Sequence, residues 1–351
     1  MLACKDNRYF PILRGRKSDI DALSKLGTQE ASQVIPILIL GLVDSYFWNF
    51  YEEPEDAIEN AERVAGYIRR GSLQCPEILL DFTELLKRAM PEHIPHILEV
   101  LSPWALGLPV KPVLTLSGDF YSVEKLFHFF SEKYDGVSLR FCRNAFPQVL
   151  FGVVRNRVEE YIVKAPYSIV DFEQSANDFL VCSGLLKLYQ SITRNKMSSE
   201  KGLVLSGTSI PSINMCDKSY GVGCIEFRRY EHVRNAEMIF PEITNVCFSD
   251  HTVFPLVNGR SITGGRKAVR YTTDHGLIFP FGPKIKIQDP DVYSNLCRMI
   301  VEDENYKGVS FSWGDSHIME CARGLISRNQ TTWISAAINH HITSVVKHLR
   351  E

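Results

Sequence analysis

Val137-Ser138-Leu139-Arg140-Phe141-Cys142-Arg143 is the stretch whose reading decides the fold. Val137, Leu139 and Phe141 share one face of an extended chain; Ser138, Arg140 and Cys142 share the other. A bulky apolar face opposite a small, polar one suits a strand of a closed parallel barrel, where the bulky residues pack beneath helices. Arg140 then points into the barrel, near its carboxyl-terminal mouth.

Working outward, similar apolar runs occupy residues 9–13, 34–40, 77–82 and 112–116 before it, and 167–172, 203–207 and 246–249 after it. Helical patterns fall between them. Ser18 is read as the cap of a stretch with Ile20, Leu23 and Leu26 at helical spacing. Residues 55–70 form an amphipathic helix, with Ala57, Ile58, Ala61, Val64, Ala65 and Ile68 on one face. Further helices are expected at 94–100, 122–133, 143–160, 175–193 and 228–238. Repeated strand-then-helix units with continuously apolar strands argue a parallel sheet. Eight of them argue an α/β fold of the TIM type, a (β/α)8 barrel. An open doubly wound sheet is the competing arrangement, and it fits the strand number less well.

The alternation stops at Asp250. Residues 269–272 and 277–280 read as a hairpin around Asp274-His275-Gly276. A helix at 292–302, a strand at 309–312 and a long helix at 332–349 follow. The chain is therefore divided into a barrel, 1–251, an insertion, 252–330, capping the barrel mouth, and a terminal helix, 331–351, returning to the barrel.

Composition bounds the function. The chain has 351 residues, 45% hydrophobic and 23% charged, with formal net charge -2. These are globular values, and the near-neutral charge disfavours a nucleic-acid partner. The nine cysteines form no Cys-x-x-Cys pair, so reduced thiols in a cytoplasmic protein are expected. Residues 1–8 are mixed and charged, so no signal peptide is read there. The longest apolar run, 34–43, is too short for a bilayer, so no membrane partner is expected.

Tyr9-Phe10-Pro11-Ile12-Leu13-Arg14-Gly15-Arg16, with Ala22-Leu23 after it, resembles the opening of the "beta protein" family of phages and bacteria. Later pieces agree in order: Gly207-Thr208-Ser209-Ile210-Pro211, Arg229-Tyr230-Glu231, Phe248-Ser249-Asp250, Arg270-Tyr271-Thr272, Ser312-Trp313-Gly314-Asp315, and Trp333 followed by Asn339-His340-His341. The resemblance spans nearly the whole chain. His232 departs from it, standing where an aromatic residue is expected. The family carries no established reaction. The resemblance implies a setting in phage or mobile-element conflict, an antiviral defence system or its phage-encoded counterpart.

Strand ends supply the candidate chemistry, because catalytic groups of barrel enzymes lie there. Arg140, Asp171 and Asp250 come directly off apolar runs, and a charge so near a core needs a partner or a ligand. A structural ion pair of Arg140 with Asp171 or Asp81 is the plainer explanation. Ser206-Gly207-Thr208-Ser209 before a helix can cradle an anion with backbone N–H groups, or simply cap that helix. Adjacent His340 and His341 sit about 100° apart on a helix, so they cannot grip one metal together. One of them can carry a proton at the mouth; packing against Trp333 is the plainer role.

The expected function is a barrel binding a phosphorylated small molecule or nucleotide, with phosphoester hydrolysis as the suited reaction. Asp171, Asp250 and His340 are the catalytic candidates. Arg14, Arg16, Arg140, Gly207, Ser209, Arg270 and the motif residues Glu231, Tyr271 and Asp315 are the substrate-binding ones. No cofactor is identified. No compact metal motif is present, although Asp81, Asp171, Glu173 and Asp250 are the acids a hard metal would use. Arg228, Arg229, Arg266, Lys267 and Arg270 with Tyr230 and Tyr271 form local basic points of the mixture that single-strand grooves use, and solvated edges explain them as well. The alternative function is a non-catalytic recognition scaffold. Its insertion, rich in Tyr271, Phe279, Phe281, Tyr293 and Trp313, would bind a phage or host protein.

Overall fold

The computed structural model describes residues 8–41, 55–86, 89–116, 120–134, 136–142, 155–172, 187, 202–207, 221–226, 233, 238, 246–253, 266–284, 291–326 and 330–351. Eight parallel strands close into a barrel. In order around the wall they are β1 (Tyr9–Leu13), β2 (Ile37–Ile39), β3 (Ile78–Asp81), β4 (Val110–Leu116), β5 (Ser138–Cys142), β6 (Tyr167–Asp171), β7 (Gly202–Gly207) and β9 (Val246–Asp250). The seam is β1 against β9, with Tyr9 opposite Phe248, Phe10 opposite Ser249 and Pro11 opposite Asp250.

Strand alternation sorts the side chains into two cores. Phe10, Ile12, Ile37, Ile39, Leu79, Val113, Tyr167, Ile169, Val204 and Cys247 fill the barrel interior. Tyr9, Leu13, Leu139, Phe141, Val170, Val246 and Phe248 pack outward beneath the helices. At the amino-terminal end the Tyr167 hydroxyl donates to Glu77 Oε1 at 2.6 Å, and Lys111 pairs with Glu77 Oε2 at 3.0 Å. Asp81, Thr115, Arg140, Asp171 and Ser206 lie toward the other, carboxyl-terminal end.

The described helices are α1 (Lys17–Ser24), α2 (Thr28–Ala31), α3 (Glu55–Gly71), α4 (Thr83–Leu86), α5 (Ile94–Val100), α6 (Pro103–Leu106), α7 (Phe120–Ser131), α8 (Arg155–Lys164), α9 (Val292–Val301), α10 (Trp313–Ala322) and α11 (Gln330–Arg350). α3 buries Ala57, Ala61, Val64, Ala65 and Ile68, the face its periodicity predicts. α1 starts one residue before Ser18, with Arg16 in the cap position. Asp19 replaces a hydroxyl cap, its Oδ2 accepting the backbone N–H of Arg14 at 3.0 Å and of Arg16 at 3.1 Å. The expected helix at 175–193 and most of that at 228–238 lie outside the described residues.

A second sheet holds β8 (Gly221–Glu226), β10 (Arg266–Ala268), β11 (Tyr271–Thr273) and β12 (Gly276–Lys284). β11 and β12 form the hairpin read from the sequence, with Thr273 opposite Gly276. β8 pairs antiparallel with β12, from Gly276 opposite Glu226 to Phe281 opposite Gly221. A segment preceding the last barrel strand thus joins the layer read as a 252–330 insertion. Behind this sheet Val269, Tyr271, Ile278, Leu296, Cys297, Ile318 and Trp333 form a core of their own. Residues 309–312 are a turn, where a strand was expected. Ser312 Oγ accepts the Asp315 N–H at 3.1 Å, so this segment is spent on capping α10. α11 packs against α1, α10, β11 and β1, returning the chain to the barrel wall.

Candidate functional site

The interior polar layer follows from strand parity. Asp81 is in phase with Leu79, Thr115 with Val113, Asp171 with Ile169 and Ser206 with Val204, all interior residues. Arg140 enters from β5 between them. Its Nε and Nη2 donate to Asp171 Oδ2 at 3.0 and 2.5 Å, and its Nη1 donates to Asp81 Oδ2 at 3.2 Å. Nη1 also reaches Thr115 Oγ1 at 3.4 Å, and Thr115 donates to Asp81. Asp81 Oδ1 accepts the Thr83 N–H at 3.1 Å. His251, two residues past Ser249, turns into the same layer and meets Asp171 Oδ1 through Nε2 at 2.8 Å.

Arg140 is 4% exposed, His251 1%, and Asp171 and Ser206 0%. Burial pushes the Asp171 carboxyl up, but the charges and hydrogen bonds of His251 and Arg140 outweigh it and hold it well below the usual carboxylate range. Burial also opposes the Arg140 charge, and Cys142, Asp171 and Asp81 more than restore it. An ionised carboxylate facing His251 Nε2 requires the proton on that nitrogen. In the neutral ring the lone pair is then on Nδ1. His251 Nδ1 and Ser206 Oγ are buried without a hydrogen-bond partner among the described residues.

Asp250 faces the other way. It is in phase with Val246 and Phe248, so it leaves the wall toward α11. The Tyr9 hydroxyl donates to its Oδ1 at 2.5 Å, the Thr252 N–H donates to the same oxygen at 2.9 Å, and His341 Nε2 meets Oδ2 at 3.0 Å. His341 Nδ1 meets Thr272 Oγ1 at 2.9 Å, tying β11 to this seam.

A third network joins the second sheet to α11. Asp315 accepts from Tyr271 at 2.7 Å, Ser312 at 2.5 Å and His340 Nδ1 at 2.8 Å. His340 Nε2 meets the Thr272 carbonyl at 2.9 Å. Both ring nitrogens of His340 face acceptors, so both carry protons, and Tyr271 stacks on the ring at 3.9 Å between centroids. Burial pushes the Asp315 carboxyl up; the His340, Ser312 and Tyr271 hydrogen bonds win and hold it low. Gly314 is required here, since a Cβ would lie 2.3 Å from the Ala336 carbonyl oxygen. Its N–H donates to Asn339 Oδ1 at 3.0 Å, and Asn339 donates onward to the Ala22 carbonyl at 3.0 Å.

The arginines after β1 form the fourth feature. Gly15, at φ 64°, turns the loop between Arg14 and Arg16. Arg16 pairs with Asp19 at 3.0 Å. Arg270, half-buried before β11, is pushed down to about 9 by burial and by the charges of Arg16 and Arg14.

The three catalytic candidates therefore fall in three networks: Asp171 inside the barrel, Asp250 in its wall, and His340 on the last helix against the second sheet. Arg140 joins Asp171; Tyr271 and Asp315 join His340; Arg14, Arg16 and Arg270 stand together. Gly207 ends β7 opposite Asp250. Ser209, Glu231 and Glu173 lie outside the described residues. His251 is the residue the sequence reading left without a role. Its parity with Cys247 and Ser249 was the available signal. Among the described residues no group of three or more His, Cys, Asp or Glu side chains is placed to hold a metal ion, and no helix is long and apolar enough to cross a membrane. Cys75, Cys142, Cys247, Cys297 and Cys321 are buried and form no disulfide.

Fold and site together define a TIM-type barrel with an ionic, hydrogen-bonded layer across its carboxyl-terminal mouth. The chain belongs to the Beta protein family, whose model matches residues 9–347. No curated protein and no solved structure matches it.

Proposed function

We propose that the protein binds a small phosphate-bearing molecule, a phosphorylated metabolite or a nucleotide, at the carboxyl-terminal mouth of the barrel. The observation that carries this reading is the grouping of Arg14, Arg16 and Arg270, close enough for the first two to depress the third. Three guanidinium groups brought to one place suit a multiply charged anion, because guanidinium matches phosphate geometry. Asp19 fixes the Arg14–Arg16 loop through both backbone N–H groups, so two of the three are presented on a set backbone. Gly207, at the end of β7, opens the turn that the sequence offers as an anion cradle.

Arg140 is given a different role from the one its charge first suggests. Bound by two carboxylates, it organises Asp171 and is not the phosphate ligand.

Titration calorimetry of the full chain with pyrophosphate and with nucleotides tests the reading. Binding should weaken with added salt, and Arg270→Ala should raise Kd about tenfold or more, since a charge-assisted hydrogen bond is worth ~1.5–3 kcal/mol. Failure of the wild type to bind any of these at millimolar concentration sinks it and favours the recognition-scaffold reading.

A further inference from the structure

We propose that His251 is the general base of a hydrolytic site inside the barrel mouth, oriented by Asp171 and Arg140, with a phosphate ester as substrate. The substrate class rests on the anion-binding reading above; the base does not.

The geometry supplies the base. Asp171 Oδ1 lies 2.8 Å from His251 Nε2, which places a proton on that nitrogen, so that in the neutral ring Nδ1 is the basic atom. A carboxylate that holds one imidazole nitrogen so that the other can take a proton is the arrangement general-base catalysis needs. Arg140 binds the opposite oxygen of Asp171, so the carboxylate cannot swing away. The charged groups around this imidazole are Asp171, then Arg140 and Asp81 inside the barrel. Asp250 and His341 are paired with each other on the outer face of the same wall.

The direction of the free nitrogen is the second observation. His251 Nδ1 and Ser206 Oγ are each buried and without a hydrogen-bond partner among the described residues. Ser206 is paired with Asp171 and with Ser249 in the sheet register, and His251 reaches the same Asp171, so both residues neighbour that carboxylate. Buried polar atoms are almost always met by a partner, and two beside one carboxylate are suited to a reacting water and a substrate oxygen. The two histidines of the last helix differ: His340 and His341 use both nitrogens.

The step balances without a redox partner. His251 Nδ1 takes a proton from water as the water oxygen attacks phosphorus. A P–O bond to water forms as the P–O bond to the leaving alcohol breaks. The departing alkoxide takes a proton from solvent to become the alcohol, and His251 returns its own to solvent. The products are the alcohol and inorganic phosphate from a monoester, or the alcohol and a phosphate monoester from a diester. Asp171 and Arg140 are positioning residues; His251 is the catalytic one.

The test uses the full chain with p-nitrophenyl phosphate and bis(p-nitrophenyl) phosphate, alongside pyrophosphate calorimetry. His251→Gln should lower kcat by about 10²–10⁴ while leaving KM and pyrophosphate affinity within about twofold, whereas Arg270→Ala should raise KM. Nitrogen NMR of the imidazoles should show His251 neutral, with its proton on Nε2. Wild type that binds pyrophosphate but cleaves neither ester overturns the catalytic role and leaves the binding reading standing. Hydrolysis that persists in His251→Gln overturns it too. A doubly protonated or Nδ1–H His251 at neutral pH overturns it even if the variant does not fold.

Discussion

Two buried carboxylate–imidazole pairs, Asp171–His251 and Asp315–His340, have the same 2.8 Å contact and opposite surroundings. In the second, every polar atom of the pair is met: three side chains donate to Asp315, and both nitrogens of His340 face acceptors. In the first, one imidazole nitrogen is left over. A closed network fixes a structure. It docks Ser312-Trp313-Gly314-Asp315 against Asn339-His340-His341, two motifs of the family resemblance that now have a packing reason. On the proposal above, the open one holds a group for chemistry, and the two pairs then separate stability from chemistry within one molecule.

The largest expected effect breaks the closed pair. His340→Ala leaves Asp315 buried against only neutral donors, and should cost about 3–5 kcal/mol in urea denaturation. Arg140→Ala, which strips a counter-charge from Asp81 and Asp171, should cost a similar amount, about 3–5 kcal/mol. His251→Gln should cost less, on the order of 1 kcal/mol, because Arg140 still neutralises Asp171 and the amide can donate in place of Nε2. Equal losses in His340→Ala and His251→Gln would erase the distinction between the two pairs.

Acid should act on both pairs alike. Asp171 and Asp315 are each held below their unfolded values. A depressed carboxyl stabilises the fold fully above its unfolded pKa, ~3.9, and that contribution is lost as pH falls below it toward the folded value, where the unfolded chain binds more protons. Stability measured at descending pH should therefore fall below about pH 4. In Arg140→Ala the Asp171 share should shrink, flattening the curve. A wild-type curve that stays level through this range contradicts the depressed carboxyls.

Much of the barrel was legible because parity and spacing are local. The alternation of Ser138, Arg140 and Cys142 against Leu139 and Phe141 was enough to aim Arg140 inward, and the strand–helix repeat was enough for closure. The same parity separates Asp171, in phase with Ile169, from Asp250, in phase with Phe248; reading both as strand-end acids merged an interior group with a wall group. β8 escaped because Gly221-Val222-Gly223-Cys224-Ile225-Glu226 carries too few bulky residues to announce a strand, and its pairing with β12 is set by tertiary contact. Residues 309–312 misled in the other direction, since Ser312 and Asp315 carry an N-cap spacing that outweighs a short apolar run. The bare nitrogen of His251 was not legible at all. It depends on a partner 80 residues away and on what else reaches the ring.

The smallest effect sharpens the comparison most. Ser312 and Ser206 are both serines beside a buried Asp–His pair, and the same substitution should have opposite consequences. Ser312 caps α10 through the Asp315 N–H and donates to the Asp315 carboxylate. Ser312→Ala removes a cap and a charge-assisted bond, so it should destabilise by about 1–2 kcal/mol. Ser206 Oγ uses no described partner. Ser206→Ala removes a buried hydroxyl whose desolvation nothing described offsets, so stability should be unchanged or rise by up to ~1 kcal/mol. If the open layer serves chemistry, the same change should weaken ester turnover or pyrophosphate binding, which is the usual trade between stability and function. Thermal melts of the two variants beside calorimetry decide it. Should Ser206→Ala destabilise as much as Ser312→Ala, with binding and turnover intact, Ser206 belongs to a closed structural network and the barrel layer is no more open than the one under α11.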